Sequence, residues 1–325
     1  QLKQHHVADI AYIGGHAEIA ASLGIDKSLI NPKRLLAYLD FSRAVKTDYE
    51  LEQLRAANRL ALLGHAAAKA RFLEGGSEYE IHMAFLQTTQ NLEDECPYTN
   101  IVALNEKAAI LHYQFKRKIN ENKGEVLLID AGCKVRAYAS DITRTSVSED
   151  AHPEFRSLVT AMETLELALV DEVKPGKTYQ SLHASTLTRI ASVLVDHNIC
   201  KGEPADLIER NIPQLFMPHG VGHLLGIQVH DVAGHQSDIN GTILSPPENS
   251  PALRNTRLME VNMVFTVEPG LYFIPLILEA ERVSDRGKLI NWNTVDELYP
   301  CGGIRIEDNI RVTSDGAENL TRQFE

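Results

Sequence analysis

Three features of the chain point to an α+β fold. Helical periodicity comes first, strand-like runs follow, and helices return before a β-rich end. The regular βαβ alternation of a doubly wound sheet is missing. Two capping boxes, Thr47 with Glu50 and Ser77 with Glu80, fix where the first long helices begin.

Within residues 1–44 there is one short strand-like run at 10–13, a Gly14-Gly15 break and a weak helix ending before Asn31-Pro32. From Thr47 onward, Leu51, Leu54, Ala57, Ala61, Leu62 and Ala68 recur at helical spacing until Gly75-Gly76 closes the helix, and Ser77 opens the next. Strand-like runs occupy 101–104, 125–131 and 137–146. Helical stretches at 153–173 and 179–197 are parted by Pro175-Gly176. After His219 the clearest strands are 263–268 and 303–312, joined by a long segment containing Trp292. Neither a repeat nor a block of like charge is evident, which excludes a solenoid or a charged tail.

Composition narrows the function. At roughly 150 residues per domain, 325 residues allow two domains or one large one. Hydrophobic residues at 44% and charged residues at 23% are ordinary globular usage, against disorder, collagen or coiled coil. Lys plus Arg number 32 against 44 Asp plus Glu, a net charge of −12, so nucleic acid is not an expected partner. The longest uncharged apolar runs, 126–129 and 263–267, are far short of the ~20 residues that span a bilayer, so no membrane partner is expected either. Four widely spaced cysteines, Cys96, Cys133, Cys200 and Cys301, with no CxxC, suit a reducing cytoplasm. The chain opens on Gln1 without a signal-peptide pattern and reads as a fragment of something longer. The tripeptides at Asn240 and Asn319 match the glycosylation sequon at a level chance supplies. No GxGxxG or P-loop is present.

The chemistry lies in carboxylates that end apolar strands. Asp130 closes LLID, where a buried charge needs a partner or a metal. Pairing it with Asp141 across a hairpin leaves a short loop near Val135-Arg136 and sets the two Cβ atoms ~5 Å apart. Either Asp alone is most simply a turn cap or a solvated side chain. Facing each other, they repel unless a cation lies between them. Glu268 repeats the anomaly, ending MVFTVE before Pro269-Gly270, with Thr266 on the same face. In GGIRIEDNIRV, Ile304, Ile306, Ile310 and Val312 mark a core face and leave Arg305 with Glu307 on the other, ordinarily a wet one.

The histidines are concentrated in HGVGH, residues 219–223, and at His230-Asp231. Gly220 and Gly222 disfavour a helix and no HExxH is present, so this segment is a loop or strand that gathers imidazoles. The isolated histidines, His5, His16, His65, His82, His152, His183 and His197, are expected to be structural, and His235 carries no signal of its own. Four carboxylates and one imidazole would balance two divalent cations, and the hard oxygen donors favour Mn, with Co or Zn as alternatives, over Cu. Such a site suits two-metal hydrolysis, in which ions ~3.5–4 Å apart activate water and polarise a carbonyl.

IDAGC, SDITRT, HGVGHLLGIQVHD, TVEPGLYF and GGIRIEDN, in that order, resemble the pita-bread metallopeptidases over about residues 45–325. PYTNIVALNEKAAILHY, MPHGVGHLLGIQVHDVAG and the NW-containing insertion are most similar to the bacterial prolidase branch, close to organophosphorus acid anhydrolase. The resemblance implies two pseudo-symmetric α+β halves around a dinuclear metal site, cleavage of Xaa-Pro dipeptides, organophosphate hydrolysis as a side activity, and a homodimer. It implies metal ligands Asp130, Asp141, His223, Glu268 and Glu307, with Asp141 and Glu307 bridging. It implies that His112, His219 and His230 line the site and stabilise the substrate carbonyl or gem-diolate, and that Glu268 shuttles a proton. By the same likeness Arg254 reads the dipeptide's free carboxylate and Tyr98 belongs to a small pocket. Residues 1–44 match only the last part of an N-terminal domain and linker that relatives carry. An aminopeptidase acting on longer Xaa-Pro peptides, or a silent binding module on the same fold, are the alternative readings.

Overall fold

The structure is a computed structural model that describes residues 10–119 and 123–325. His5 lies outside the described residues. Two short helices, α1 (Ala17–Ser22) and α2 (Lys33–Ser42), precede the first capping box. The sequence reading stopped a helix before Asn31-Pro32 and missed α2. Pro32 is the N-cap of α2, a place where a missing N–H loses no hydrogen bond. The 10–13 run forms only a single bridge, Tyr12 with Ile30.

Both capping boxes form as expected. The Thr47 amide donates to Glu50 Oε2 at 2.8 Å to open α3 (Asp48–Leu73), and Ser77 with Glu80 opens α4 (Glu78–Thr89) in the same way. Next come β1 (Ile101–Leu104), β2 (Val126–Asp130), β3 (Lys134–Val135), β4 (Tyr138–Ala139) and β5 (Thr143–Val147). The first, second and fifth make an antiparallel sheet with β2 in the centre. All of β2 is buried. Leu127 and Ile129 pack among Phe72, Ile81 and Phe85 of the α3–α4 pair, while Leu128 faces Tyr113 and Tyr272 on the other side, the alternation a two-sided strand requires.

One register differs from expectation. Asp130 pairs with Thr143, not with Asp141. The β3–β4 hairpin pairs Lys134 with Ala139, and its tip residues Arg136 and Ala137 both have positive φ, 51° and 72°. The pairing is therefore two residues out of step with the one expected, and Asp141 lies beyond the end of β5 on the hairpin side of the strand.

The second half begins with α5 (Pro153–Val170), α6 (Tyr179–Asp196), α7 (Pro204–Glu209) and α8 (Pro213–Phe216). It continues through β6 (Val264–Val267), β7 (Gly270–Tyr272), α9 (Pro275–Leu278), α10 (Trp292–Leu298), β8 (Gly303–Arg305), β9 (Asp308–Val312) and β10 (Ala317–Asn319). Its three-stranded antiparallel sheet has the order β10–β9–β6. Phe155, Leu158 and Met162 of α5 and Ile190 and Leu194 of α6 pack in one cluster with Phe265, Ile304 and Ile310. Each sheet thus has a helix pair behind it, the two-halved α+β arrangement that was expected.

The run 303–312 is not one strand. It breaks after Arg305 and resumes at Asp308. Between them the Ile306 amide bonds to Pro269 O at 3.3 Å and the Glu307 amide to Thr143 O at 3.0 Å. The core alternation of Ile304, Ile306, Ile310 and Val312 survives the break. Its other face is not wet, because Arg305 is 5% and Glu307 2% exposed. The Thr143–Glu307 bridge joins the two sheets where the carboxylates gather.

Candidate metal centre

Strand ends deliver the polar side chains. Asp130 is the last residue of β2, Asp141 precedes β5, Glu268 follows β6, and Glu307 occupies the break between β8 and β9. His223 belongs to an extended segment laid along β6, with Thr266 N to His223 O at 2.9 Å and Glu268 N to Val221 O at 2.9 Å. The segment lies this close because Gly222, at φ 148°, has no side chain. A Cβ there would be 2.3 Å from both Thr266 O and the Tyr179 hydroxyl.

One ligand atom each from Asp141, His223 and Glu307 lie within 4.8 Å of one another, all three residues buried. His223 Nε2 is 3.3 Å from Asp141 Oδ2 and 3.6 Å from Glu268 Oε1. The other ring nitrogen, Nδ1, donates to Leu224 O at 3.0 Å, which aims Nε2 at the carboxylates. Asp130 Oδ2 accepts from Arg305 Nη2 at 2.6 Å, and Glu307 Oε2 accepts from the Thr143 hydroxyl at 2.6 Å. Arg305 also donates through Nε to Thr143 Oγ1 and through Nη1 to the Tyr272 hydroxyl, each at 3.0 Å.

The electrostatics of this cluster ask for positive charge. Burial, followed by the repulsion of Asp141, Glu268 and Asp130, lifts the Glu307 carboxyl well above its ordinary range. Burial raises Asp130 to about 6 against the pull of Arg305, and raises Glu268 to about 7 against His223 and Arg305. At Asp141 burial is outweighed by the His223 hydrogen bond and charge, so its pKa falls. His223 is displaced upward, since Asp141 and Glu268 overcome its burial. Asp130 Oδ1 and the Tyr98 hydroxyl are sealed from solvent with no hydrogen-bond partner among the described residues. Crowded carboxylates, an imidazole with a fixed tautomer and an orphaned carboxylate oxygen fit divalent cations, which would take the place of the proton on His223 and lower the cost of ionising Glu307.

A cavity of about 250 Å³ opens over the cluster, lined by all five of these residues and by His112, His219, His230, Arg254 and Arg305. His112, His230 and Arg254 are exposed at its mouth. The His230 ring stands edge-on to that of His223, centroids 4.4 Å apart. His219 is deeper. Its Nδ1 pairs with Gly220 O at 2.7 Å and its Nε2 with the Tyr272 hydroxyl at 3.0 Å, leaving no free ring nitrogen, and burial depresses its pKa to about 3. Tyr98 does not line this cavity; burial and then the charges of Asp130, Asp141 and Glu307 hold its hydroxyl well above the normal pKa.

None of the other described histidines lines the cavity. His65 bonds to Ala131 O at 2.9 Å behind the sheet and His197 pairs with Glu154 at 2.6 Å. Sequence reasoning missed Arg305, Tyr272 and Thr143 as partners of the cluster. Arg305's shared face with Glu307 was the one available signal.

Residues 52–314 match the model of metallopeptidase family M24. The Xaa-Pro dipeptidase of Pseudoalteromonas haloplanktis is 48% identical over 325 residues, all of this chain and 73% of that protein. The Xaa-Pro dipeptidase of Pseudoalteromonas atlantica is 46% identical over 318 residues, 97% of this chain and 71% of that one. Among solved structures, zinc-substituted E. coli aminopeptidase P in complex with product aligns with a TM-score of 0.71 at 27% identity, covering 91% of this chain. Aminopeptidase PepP of Pseudomonas aeruginosa gives 0.69 at 28% identity over 90% of this chain. The chain spans about 60% of the length of these solved proteins.

Proposed function

The chain belongs to metallopeptidase family M24, and from that membership and the buried carboxylate–imidazole centre we infer that it is a metal-dependent hydrolase that cleaves the Xaa-Pro bond of dipeptides. The observation that carries this reading is the convergence of Asp141, His223 and Glu307 beside Asp130 and Glu268 at the floor of an open cavity. These five side chains would hold two divalent ions. The ions, with Mn favoured by hard oxygen donors, would supply Lewis acidity toward the scissile carbonyl and lower the pKa of water.

The protein's own groups account for the rest. Arg254, which lines the cavity and is exposed, would bind the free carboxylate of the dipeptide. Glu268 would take a proton from water and pass it to the proline nitrogen as the C–N bond breaks, from its place at the cavity floor. His112 and His230 present imidazole at the rim to the developing oxyanion. His219 has both nitrogens engaged and serves as a wall, tied through Tyr272 and Arg305 to Asp130. Tyr98, off the cavity lining, would act on the substrate pocket only indirectly, through the charge of Asp130 and Asp141 that its hydroxyl senses.

Residues 45–325 are proposed as the catalytic unit, a span supported by the family match at 52–314. Four unpaired, buried cysteines support a reducing cytoplasm, and no described helix is long and apolar enough to cross a membrane. A homodimer is expected and sedimentation checks it.

The test is proline release from Leu-Pro by chelator-stripped protein with and without Mn. Release that depends on added metal supports the reading, while a fully loaded protein that leaves Leu-Pro intact overturns it. The aminopeptidase P neighbours favour a second reading, hydrolysis of longer Xaa-Pro peptides. Faster turnover of Leu-Pro-Ala than of Leu-Pro would establish that reading instead.

A further inference from the structure

Beneath the turn that carries the mouth histidine lies a buried ion cluster with no direct contact to the cavity. Asp231, adjacent to His230, has a side chain only 2% exposed. Its Oδ1 accepts from Arg43 Nη2 at 2.6 Å, and its Oδ2 is 3.5 Å from Lys46 Nζ, whose side chain is 1% exposed. Both cations come from the short connection between α2 and α3, more than a hundred residues away in sequence. That connection is anchored in turn, with Lys46 N bonded to Asn262 O at 2.8 Å and Lys46 Nζ to Arg43 O at 2.5 Å.

The same aspartate is tied to the metal-facing side of the turn. Its amide donates to Leu224 O at 2.9 Å, the carbonyl that also receives His223 Nδ1 at 3.0 Å. The turn can close over the ion pair only because residue 226 is glycine. A Cβ there would lie 2.4 Å from Asp231 Oδ2 and 3.1 Å from Lys46 Nζ. Burying a lysine and a carboxylate is a poor way to gain stability, since an apolar pair of the same volume does as well or better. What such a pair does supply is one fixed arrangement of the backbone that holds it.

We propose that Asp231, gripped by Arg43 and Lys46, is a positioning residue for the reaction, a clasp that holds the 223–231 turn so that His230 stays edge-on to His223 and facing the pocket. The proposal rests on the reading of His230 as a group that meets the substrate. It makes the segment before α3 a working part of the site and predicts that disturbance of that segment reaches the chemistry through His230.

Lys46→Met is the informative variant, because it keeps the volume and leaves Asp231 paired with Arg43, and thermal melting verifies that it folds. In the metal-loaded full chain, kcat on Leu-Pro is expected to fall about tenfold with KM changed less than about twofold, at the lower end of losses seen when outer partners of a site are removed. Mn affinity of the stripped protein, read by calorimetry, is expected to stay within about threefold, since the partner of His223 is a backbone carbonyl. In a His230→Ala background the same substitution is expected to change kcat less than about twofold, the non-additivity of two residues acting through one group. An equal loss in both backgrounds, or a loss of Mn affinity matching the loss of kcat, overturns the clasp in favour of general loosening. A silent Lys46→Met beside a damaging His230→Ala overturns the clasp alone. A silent His230→Ala overturns the reading of His230 and the clasp with it.

Discussion

Glu166→Gln should make this protein more stable, and increasingly so as pH rises. Glu166, on α5, is 0% exposed, and neither carboxyl oxygen has a hydrogen-bond partner among the described residues. Arg322 Nη2 is 3.6 Å from Glu166 Oε2, too far for a hydrogen bond, and it has no other hydrogen-bond partner among the described residues, while Nε and Nη1 of the same guanidinium hold Asp308 at 2.8 Å and Glu163 at 2.7 Å. Burial, then the charge of Asp308, pushes the Glu166 carboxyl from 4.5 up to about 9, against the pull of Arg322 and Arg144. The folded chain therefore keeps a proton that the unfolded chain releases near 4.5. Stability from the protonated group is fully present below that value and is lost as pH rises toward about 9, at about 1.36 kcal/mol per unit. At pH 7 the penalty is roughly 3 kcal/mol, and between pH 5 and pH 8 it grows by about 4 kcal/mol. Glutamine has the same shape without the titration. Urea unfolding of both proteins, metal-stripped, at pH 5 and pH 8 measures the difference directly, and the advantage of the variant should widen by more than about 1 M in midpoint for an m-value near 3 kcal/mol/M. A difference that stays flat with pH, or a variant that loses ground at pH 8, would mean that Glu166 is ionised and paired with Arg322, and the reasoning would fail.

Three further outcomes follow from the metal centre. Asp130→Asn should weaken Mn binding and abolish proline release while the circular dichroism spectrum is unchanged; retained activity would refute the ligand assignment. Thr143→Val removes the hydroxyl that donates to Glu307 and accepts from Arg305, and calorimetry on stripped protein should find Mn affinity down about 10- to 100-fold. Gly222→Ala has no room against Thr266 O and the Tyr179 hydroxyl, so the segment bearing His223 must move, and kcat/KM should fall by more than about 100-fold even if soluble protein is recovered.

Local signals in the sequence carried the helices well. Thr47–Glu50 and Ser77–Glu80 act over three residues, so the starts of α3 and α4 are visible without any knowledge of the fold. The 130/141 register was misread because its turn gives no warning. Arg136 and Ala137 both take positive φ, as a two-residue hairpin turn with matching twist requires, yet neither is the Asn or Gly that usually marks one. The break at Ile306 and Glu307 is equally silent, since it arises when the chain changes partners from Gly270 to Thr143, which no local pattern encodes.

The same division runs through the site. Asp130, Glu268 and the glycine-flanked histidines were legible because each violates the pattern of its own segment: a charge at the end of an apolar strand, an imidazole where helix propensity is absent. Arg305 fits its strand's alternation, Lys46 and Arg43 read as ordinary charges before a helix, and Asp231 reads as a turn residue. Each acts through a partner more than 170 residues away, at Asp130 or Asp231. Asp130 and Glu268 stood out because each breaks the pattern of its own segment, whereas Asp141 and Glu307 fit theirs and entered as ligands through the resemblance of the surrounding motifs. The groups that hold the cluster in place, Arg305 and Thr143, became visible only in the fold.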